Sequence, residues 1–324
     1  MEKSLELSNI SLMPASLNNG YTGNYDFSVS EPKEQKKFLP IFTRPIQSII
    51  TTGNCGMWES VGIRPIIPIN EGLPGRLAIC CNYFTVFTLK EIKDNFISNP
   101  FKGRGIPKIY IDHINGHDVE ILNTCQKLKS LYGDNIIIMA GPIGNPKTYV
   151  EYCKAGVDFV RVGIAIGKLD DPKKYGFYYP IASLLLDIKS LLKTTVGYKQ
   201  ARIIVDGGIS DYSDITKCIA LGADYVIIGY EFSKIIESSG PICKKVVATI
   251  DNYEKVENIT SLPKDVFMKN KFFREYVPGE WVKVNQSIKD WLTGMYDNFN
   301  YAFMMGCAKN WGDFKKNINF TAVE

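Results

Sequence analysis

The chain alternates between short apolar runs rich in β-branched residues and longer segments in which apolar residues recur every three or four positions. Runs of the first kind are typical of buried parallel strands, and segments of the second kind are typical of amphipathic helices. Eight runs of the first kind follow a polar N-terminal segment. They predict strands over residues 40–42, 66–69, 77–81, 108–112, 136–140, 159–163, 202–206 and 225–229.

Helical patterns separate most of these predicted strands and cover residues 89–97, 119–132, 147–155, 181–192 and 214–221. This alternation predicts an α/β fold, and eight strands are the number that closes a TIM (β/α)8 barrel. A doubly wound open sheet is the runner-up. One unit is abridged, because only NEGLPGR stands between positions 69 and 77. Either a loop crosses there without a helix, or the second strand is misplaced.

Residues 1–38 are rich in polar residues, contain one apolar patch and end in a charged run, which indicates an N-terminal arm rather than a domain. Residues 39–324 hold all eight predicted strands. With 45% hydrophobic residues the chain has enough apolar side chains for a large core, so we expect residues 39–324 to form a single barrel domain.

Charge and cysteine content narrow the classes of function. The 38 basic and 34 acidic residues are too evenly balanced for a nucleic-acid-binding surface. Eight cysteines without a CxxC pair are typical of reduced thiols in a cytoplasmic protein, and His113 and His117 have no neighbouring cysteines, so we expect no metal site. No apolar run has transmembrane length and the N-terminus has no signal-peptide core, so we expect no membrane association.

The segment 201–230 carries the strongest candidate chemistry. Its first strand ends at the DGG turn 206–208, Ser210 or Asp211 can cap the helix that follows, and its second strand ends at Gly229. Glycine-rich loops at the C-terminal ends of adjacent parallel strands present converging N–H groups, so they predict a phosphate site. Two ordinary strand-to-helix turns are the alternative interpretation.

Several short motifs resemble the IMP dehydrogenase and GMP reductase family. They are AG at 140–141, AGVD at 155–158, RVGI at 161–164, DGG at 206–208, SDITK at 213–217, GAD at 222–224, and LELSNISLMPA at 5–15 and INF at 318–320, which are similar to the opening and closing segments of the family. Each motif is unspecific alone, but their order along the chain matches the family. The chain lacks the regulatory module inserted in many IMP dehydrogenases, so in length it looks more like a GMP reductase.

The resemblance implies a TIM barrel that binds a purine nucleotide monophosphate, uses NAD or NADP as cofactor, forms a homo-oligomer, specifically a tetramer, and carries a flap-like segment over residues 240–290. In the family, the counterpart of Asp206 binds ribose hydroxyls, and glycine loops bind the phosphate. The implied substrate-binding residues are Asp206, Gly207, Gly208, Gly229, Tyr230 and Lys168, and the implied cofactor-binding residues are Asp112, Gly141 and Arg161.

Three of these assignments have structural alternatives. Lys168 is equally consistent with a solvated loop lysine, and Asp112 with a capped turn before the next helix. Arg161 could equally pair with Asp158 or Asp206. The asparagine that follows Ala-Gly in the family is a proline here, which removes a side-chain donor and weakens the case for a dinucleotide more than the case for a nucleotide.

The loop after the sixth strand departs most from the family pattern. The family has a nucleophilic cysteine in this loop, whereas this chain reads GIAIGKLDDPK over 163–173 and places either Asp170 or Leu169 at the cysteine position. A carboxylate is a poorer nucleophile and a better leaving group than a thiolate, so the usual covalent route is in doubt. Cys55 lies in a Gly-flanked turn after the first strand and is the one thiol that could face the same mouth, although a plain turn residue is the favoured interpretation.

Three hypotheses follow. The first is an enzyme on a purine nucleotide with altered chemistry, in which Asp170 or Asp171 acts as general base and water or ammonia as nucleophile. The second is a catalytically inactive barrel that acts as a nucleotide-binding, regulatory or assembly protein. The third is another phosphate-binding barrel enzyme, such as a flavin-linked oxidoreductase or an isomerase.

Overall fold

The computed structural model describes residues 4–16, 23–30, 36–69, 71–164, 176–240, 243–244, 272–277 and 280–323. The strands are β1 Ile10–Met13, β2 Ile41–Thr43, β3 Ile66–Ile67, β4 Phe84–Phe87, β5 Lys108–Ile111, β6 Ile137–Ile143, β7 Phe159–Val162, β8 Arg202–Asp206, β9 Tyr225–Ile228, β10 Cys243–Lys244, β11 Phe272–Val277, β12 Glu280–Val284 and β13 Asn319–Ala322. The helices are α1 Cys55–Ser60, α2 Leu73–Ile79, α3 Leu89–Ile92, which continues as a π-helix over Lys93–Ser98, α4 Val119–Tyr132, α5 Pro146–Lys154, α6 Ile181–Thr194, α7 Tyr212–Leu221, α8 Tyr230–Ser233, α9 Ile288–Met305 and α10 Trp311–Asn317.

Strands β2 to β9 form a parallel barrel, which confirms the predicted TIM fold. They follow the order β2-β9-β8-β7-β6-β5-β4-β3, and all neighbouring pairs are parallel. The ring closes between β2 and the residue ahead of β3, where the Arg64 N–H donates to Ile41 O at 2.9 Å and the Thr43 N–H donates to Arg64 O at 2.9 Å. The Thr43 hydroxyl also accepts from the Ile66 N–H at 3.1 Å.

The predicted strand over 77–81 is wrong. Most of these residues belong to helix α2, and the third barrel strand is β4, a few residues further on. Pro74 stands in the first turn of α2, where its fixed φ suits a helix start, and of the run only Cys80 is fully buried. A five-residue apolar run does not by itself distinguish a strand from a helix. The crossover that looked abridged therefore contains a short helix, and the second predicted strand is correctly placed.

Aromatic rings fill the barrel below its C-terminal end. Phe42, Phe84, Phe159 and Tyr225 pack with ring centroids 5.2 to 5.9 Å apart around the square that they form. Side chains alternate between the two faces of a strand, so residues two positions beyond this layer also point inward, at the C-terminal mouth. The barrel therefore has a packed interior beneath a single mouth.

The N- and C-terminal segments pack against each other on the outside of the barrel. Strand β1 pairs antiparallel with β13, and the Lys217 ammonium on α7 donates to Leu7 O at 3.0 Å. Phe27 packs on Phe303 of α9 with a centroid distance of 4.8 Å, and the indole of Trp311 donates to Phe27 O at 2.8 Å. The two C-terminal helices return to the barrel, while the division into an arm and a single domain stays a prediction.

The predicted flap-like segment 240–290 is described only in part. Strands β10, β11 and β12 form a three-stranded antiparallel sheet within it. Residues 241–242, 245–271 and 278–279 lie outside the described part of the chain.

His117 joins the loops that follow β5 and β6 at the mouth. The Gly144 N–H donates to His117 Nε2 at 3.0 Å, so Nδ1 carries the proton and donates to the Thr148 hydroxyl at 2.9 Å. Burial lowers the pKa of His117 from its usual value of 6.5, which favours this neutral ring. Beside it, the Tyr152 hydroxyl donates to Gly116 O at 2.7 Å, and a Cβ on Gly116 would collide with the carbonyl of Pro142.

We expect His117→Gln to reduce the pH dependence of folding stability. The unfolded chain takes up the imidazole proton near pH 6.5 and the folded protein only at lower pH, because the folded pKa is lowered. Stability from this group is therefore complete above pH 6.5 and falls as the pH drops below it. Near neutral pH, His117→Gln should also lower the free energy of unfolding by about 1–2 kcal/mol, because it removes the two side-chain hydrogen bonds of His117.

Urea unfolding between weakly acidic and neutral pH measures this effect. His113→Gln is the comparison variant, because His113 lies in the same loop but links no second loop in the described structure: its Nδ1 bonds to the backbone of Asn115 and its Nε2 lies 3.8 Å from Asp118 Oδ2. Parallel stability profiles for the wild type and His117→Gln would contradict the proposed role of the neutral ring.

Candidate functional site

Four charged side chains surround the mouth of the barrel. Arg44 follows β2, Asp112 follows β5, Arg161 lies in β7 and Asp206 ends β8. All four influence the pKa of the Tyr110 phenol in β5. Burial raises this pKa above its usual value of 10. Arg161 and Arg44 oppose the rise, whereas Asp206 and Asp112 add to it. The four charges therefore lie at strand ends of the same mouth.

Arg161 binds groups from three other strands. Its guanidinium donates to the Tyr110 hydroxyl, to Asp206 Oδ2 at 2.8 Å, to Ile111 O at 3.1 Å and to Gly141 O. Its central carbon lies 4.0 Å from the centroid of the Tyr110 ring. Of the two partners left open by the sequence, Asp206 is the one that Arg161 binds, whereas Asp158 pairs with Lys129 at 2.6 Å.

Asp206 keeps one carboxylate oxygen for a further donor. The Arg161 and Asp206 side chains are only 4% and 7% exposed, so their ion pair is screened little by solvent. Asp206 Oδ1 is buried and has no hydrogen-bond partner among the described residues. Leaving a buried acceptor unsatisfied costs about 1–3 kcal/mol, a cost that a hydroxyl donor from a ligand would remove. The site is therefore suited to a ligand that carries hydroxyl groups.

The glycines of the DGG turn and of the Ala-Gly motif have backbone conformations that other residues rarely adopt. Gly207 and Gly208 have φ values of +105° and +72°, so the chain turns sharply after Asp206. Gly141 has φ +121°, and a Cβ there would lie 2.5 Å from the carbonyl oxygen of Arg161. The DGG turn and the Ala-Gly motif thus have a structural basis at the mouth.

The start of helix α7 is occupied by carboxylates of the chain itself. Asp211 caps the helix and accepts from the Ser213 and Asp214 N–H groups at 2.7 and 3.1 Å. Asp214 is 7% exposed and accepts from the Ser210 and Asp211 N–H groups at 2.8 and 3.2 Å. A phosphate at this mouth would therefore meet the glycine turn rather than the helix start.

The other predicted site residues are distributed as follows. Asp112 is exposed at the mouth, and its N–H donates to Phe87 O at 3.1 Å. Gly229 precedes α8, whose first residue is Tyr230, and the Lys234 ammonium lies 4.6 Å from the Tyr230 ring centroid. Lys168, Asp170 and Asp171 lie outside the described residues.

Sequence reasoning missed Arg44 and Tyr110. Both could have been found from the period-two alternation of their strands, since Arg44 lies two positions beyond the interior residue Phe42, and Tyr110 is itself an interior residue. Cys55 does not face the mouth. It packs in the layer between strands and helices, and its thiol donates to Thr52 O at 3.2 Å.

No described helix combines the length and hydrophobicity needed to cross a membrane. In the same parts of the chain, no three His, Cys, Asp or Glu side chains come together in a way that would hold a metal ion.

Comparison with known proteins gives the same relationship as the motifs. Residues 100–324 match the model of the IMP dehydrogenase / GMP reductase domain. Over 174 residues the chain is 32% identical to a GMP reductase of Bacillus licheniformis, covering 50% of this chain and 51% of that protein. It is 29% identical over 195 residues to a GMP reductase of Shouchella clausii, covering 56% and 57%.

An inosine-5'-monophosphate dehydrogenase of Rhodopirellula baltica is 30% identical over 139 residues, covering 43% of this chain and 25% of that protein. The matches thus span about half the length of the GMP reductases and less of the dehydrogenase. The family model, however, covers well over half of this chain, from the segment before β5 to the C-terminus. The protein belongs to the IMP dehydrogenase / GMP reductase family.

Proposed function

We propose that the protein binds a purine nucleotide monophosphate in the mouth of the barrel, with its ribose hydroxyls on Asp206. The observation that carries this proposal is the buried Asp206 Oδ1, which has no hydrogen-bond partner in the described structure. Arg161 holds the other oxygen of the same carboxylate, so the free oxygen has a fixed position. A ribose hydroxyl donating to it would form a charge-assisted hydrogen bond.

The phosphate of this nucleotide would lie on the glycine turns. Gly207 and Gly208 follow Asp206 directly, and Gly229 and Tyr230 follow the adjacent strand β9. Their backbone N–H groups would donate to phosphate oxygens, as glycine-rich loops do elsewhere. Lys168, which precedes the loop carboxylates in sequence, would add a cation.

The reaction is a separate part of the proposal. The loop 163–176 contains no cysteine, so a thiolate cannot attack the purine from this loop. We propose Asp170 or Asp171 as a general base that takes a proton from water or ammonia as it attacks the purine ring. The nucleophile would displace the exocyclic amine or oxygen on the attacked carbon, which leaves as ammonia or water. The missing thiol also favours a second candidate, a catalytically inactive barrel that serves as a nucleotide-binding, regulatory or assembly protein.

A nicotinamide cofactor, NAD or NADP, fits the described residues only in part. Asp112 is exposed on the β5 side of the mouth and would accept from a ribose hydroxyl of the cofactor. Arg161 and Gly141, the other two candidates, are buried and bonded to each other. When bound, the cofactor would supply hydride transfer; the residues described here would only orient it.

We expect Asp206→Asn to weaken binding of IMP or GMP by about 5- to 10-fold, because it replaces a charge-assisted hydrogen bond worth about 1.5–3 kcal/mol with a neutral one worth about 0.5–1.5 kcal/mol. Titration calorimetry measures the change. Asp224→Asn is the matched control, since Asp224 also forms an ion pair, with Lys315 at 2.9 Å, but lies at the opposite end of the barrel, ahead of β9. Equal affinities in the wild type and Asp206→Asn would place the ribose elsewhere.

We expect no IMP oxidation with NAD and no GMP reduction with NADPH above the rate of a family enzyme whose cysteine has been removed. Nicotinamide absorbance follows both reactions. Asp170→Cys should restore formation of a covalent nucleotide adduct, detected by mass spectrometry of the intact protein, without restoring turnover. Measurable turnover in the wild type would contradict this expectation and show that a group outside the loop 163–176 performs the chemistry.

We also propose that the protein forms a homo-tetramer. Exposed apolar side chains near the paired terminal strands support a contact between copies: Met13 is 43% exposed and Tyr301 is 61% exposed. Light scattering should give a mass four times the 36.5 kDa of the chain. A mass of one chain over a wide concentration range would rule out this assembly.

A further inference from the structure

We propose that Arg44 is a binding residue for the phosphate of the nucleotide, a role that adds a fixed positive charge to the glycine turns. This inference rests on the proposed nucleotide-binding function and deepens it. The Arg44 side chain lies in the described part of the chain, whereas Lys168 does not.

The backbone places Arg44 beside Gly229. In the parallel ladder of β2 and β9, Thr43 is paired with Ile228, and the Arg44 N–H donates to Ile228 O at 2.9 Å. The next position on β9 is Gly229, which opens the second of the two loops proposed for the phosphate. Arg44 is thus adjacent to this loop through backbone hydrogen bonds that do not depend on its side-chain conformation.

The side chain of Arg44 points into the barrel. Phe42 belongs to the cluster of interior side chains, and Arg44 lies two residues further along the same strand. Pro45 follows and restricts Arg44 to an extended backbone, which preserves this alternation. The charge of Arg44 also reaches the buried Tyr110 phenol on β5, across the mouth. Arg44 is half-buried, so it remains accessible to a ligand.

The electrostatics of the two loops call for such a cation. A bound phosphate monoester carries about −1.5 to −2 charges near neutral pH. The carboxylates of Asp211 and Asp214 stand at the start of α7, next to the DGG turn. Nearby, Lys234 forms an ion pair with Glu231 at 2.6 Å, and Arg161 forms one with Asp206. A dianion on the glycine turns would be repelled by Asp211 and Asp214 without a cation on its other side, which is the side of β2.

Arginine suits this role because its planar guanidinium can donate two parallel hydrogen bonds to a phosphate. It can also donate to the carbonyl and ring nitrogen of a purine, so the base is the competing partner. The order of the strands favours the phosphate. Asp206 at the end of β8 would hold the ribose, Gly229 directly follows the neighbouring strand β9, and Arg44 directly follows β2, the next strand. Ribose and phosphate are neighbours in a nucleotide, and the base would extend to the other side of Asp206.

Titration of the whole chain with IMP and with inosine tests the assignment. In Arg44→Gln we expect IMP affinity to fall by about 10- to 100-fold, the loss of a hydrogen-bonded charge, and inosine affinity to stay the same. Arg44→Lys should recover part of the IMP affinity because it keeps the charge. Added salt should weaken IMP binding more in the wild type than in Arg44→Gln. Arg104→Gln is the matched control, an exposed arginine ahead of β5 at the opposite end of the barrel.

Each other result has a distinct meaning. Equal losses for IMP and inosine in Arg44→Gln would assign Arg44 to the base and overturn the proposal. Unchanged IMP affinity in Arg44→Gln, with binding by the wild type intact, would overturn it while leaving the nucleotide function standing. If the wild type binds neither IMP nor GMP, the proposed function fails and the role of Arg44 fails with it. Thermal denaturation of each variant identifies losses that come from misfolding.

Discussion

The mouth of the barrel depends on the ion pair between Arg161 and Asp206. Removing two charges from water is costly, and such a pair is seldom a net source of stability. Here the arginine recovers part of the cost by also donating to Tyr110 and to the carbonyls of Ile111 and Gly141, so it joins β5, β6, β7 and β8 at one point. The arrangement holds the Asp206 carboxylate in one orientation, with Oδ1 turned away from Arg161 and buried. The function of the pair is therefore better explained by orientation than by stability.

The surroundings of this pair make its orientation effective. Beneath the ion pair, the barrel is closed by the aromatic layer of Phe42, Phe84, Phe159 and Tyr225. This layer keeps the effective dielectric low, which strengthens the electrostatic interactions of the charges above it. On the β5 and β6 side, the bonds of His117 to Gly144 and Thr148 tie the mouth loops together. Rigid strand ends and joined loops are the usual requirements for a preorganised binding site.

In the proposed function, binding and chemistry would be carried by different parts of this chain. The residues proposed to bind the nucleotide are mostly at the ends of barrel strands, where the fold itself determines their positions. The nucleophile of the family would stand in the loop 163–176, which has carboxylates and no thiol. A strand end is constrained by packing on both sides, whereas a loop residue is not, so a barrel of this family can retain a nucleotide site while its reactive group changes.

The sequence by itself determined the barrel and the positions of most of its strands. Period-two and period-3.6 patterns placed seven of the eight strands and even the bounds of α4, because they record which side chains are buried. They failed at 77–81, where a short apolar run fits either element. The sequence also located Asp206 and the glycine turns, through the motif that they form. Only the tertiary structure decided that Arg161 pairs with Asp206, that Asp214 occupies the start of α7 and that Arg44 adjoins Gly229. The pairing of Arg161 and the position of Arg44 both depend on which strands become neighbours. Arg44 adjoins Gly229 because the first and last barrel strands, which are far apart in sequence, pair with each other.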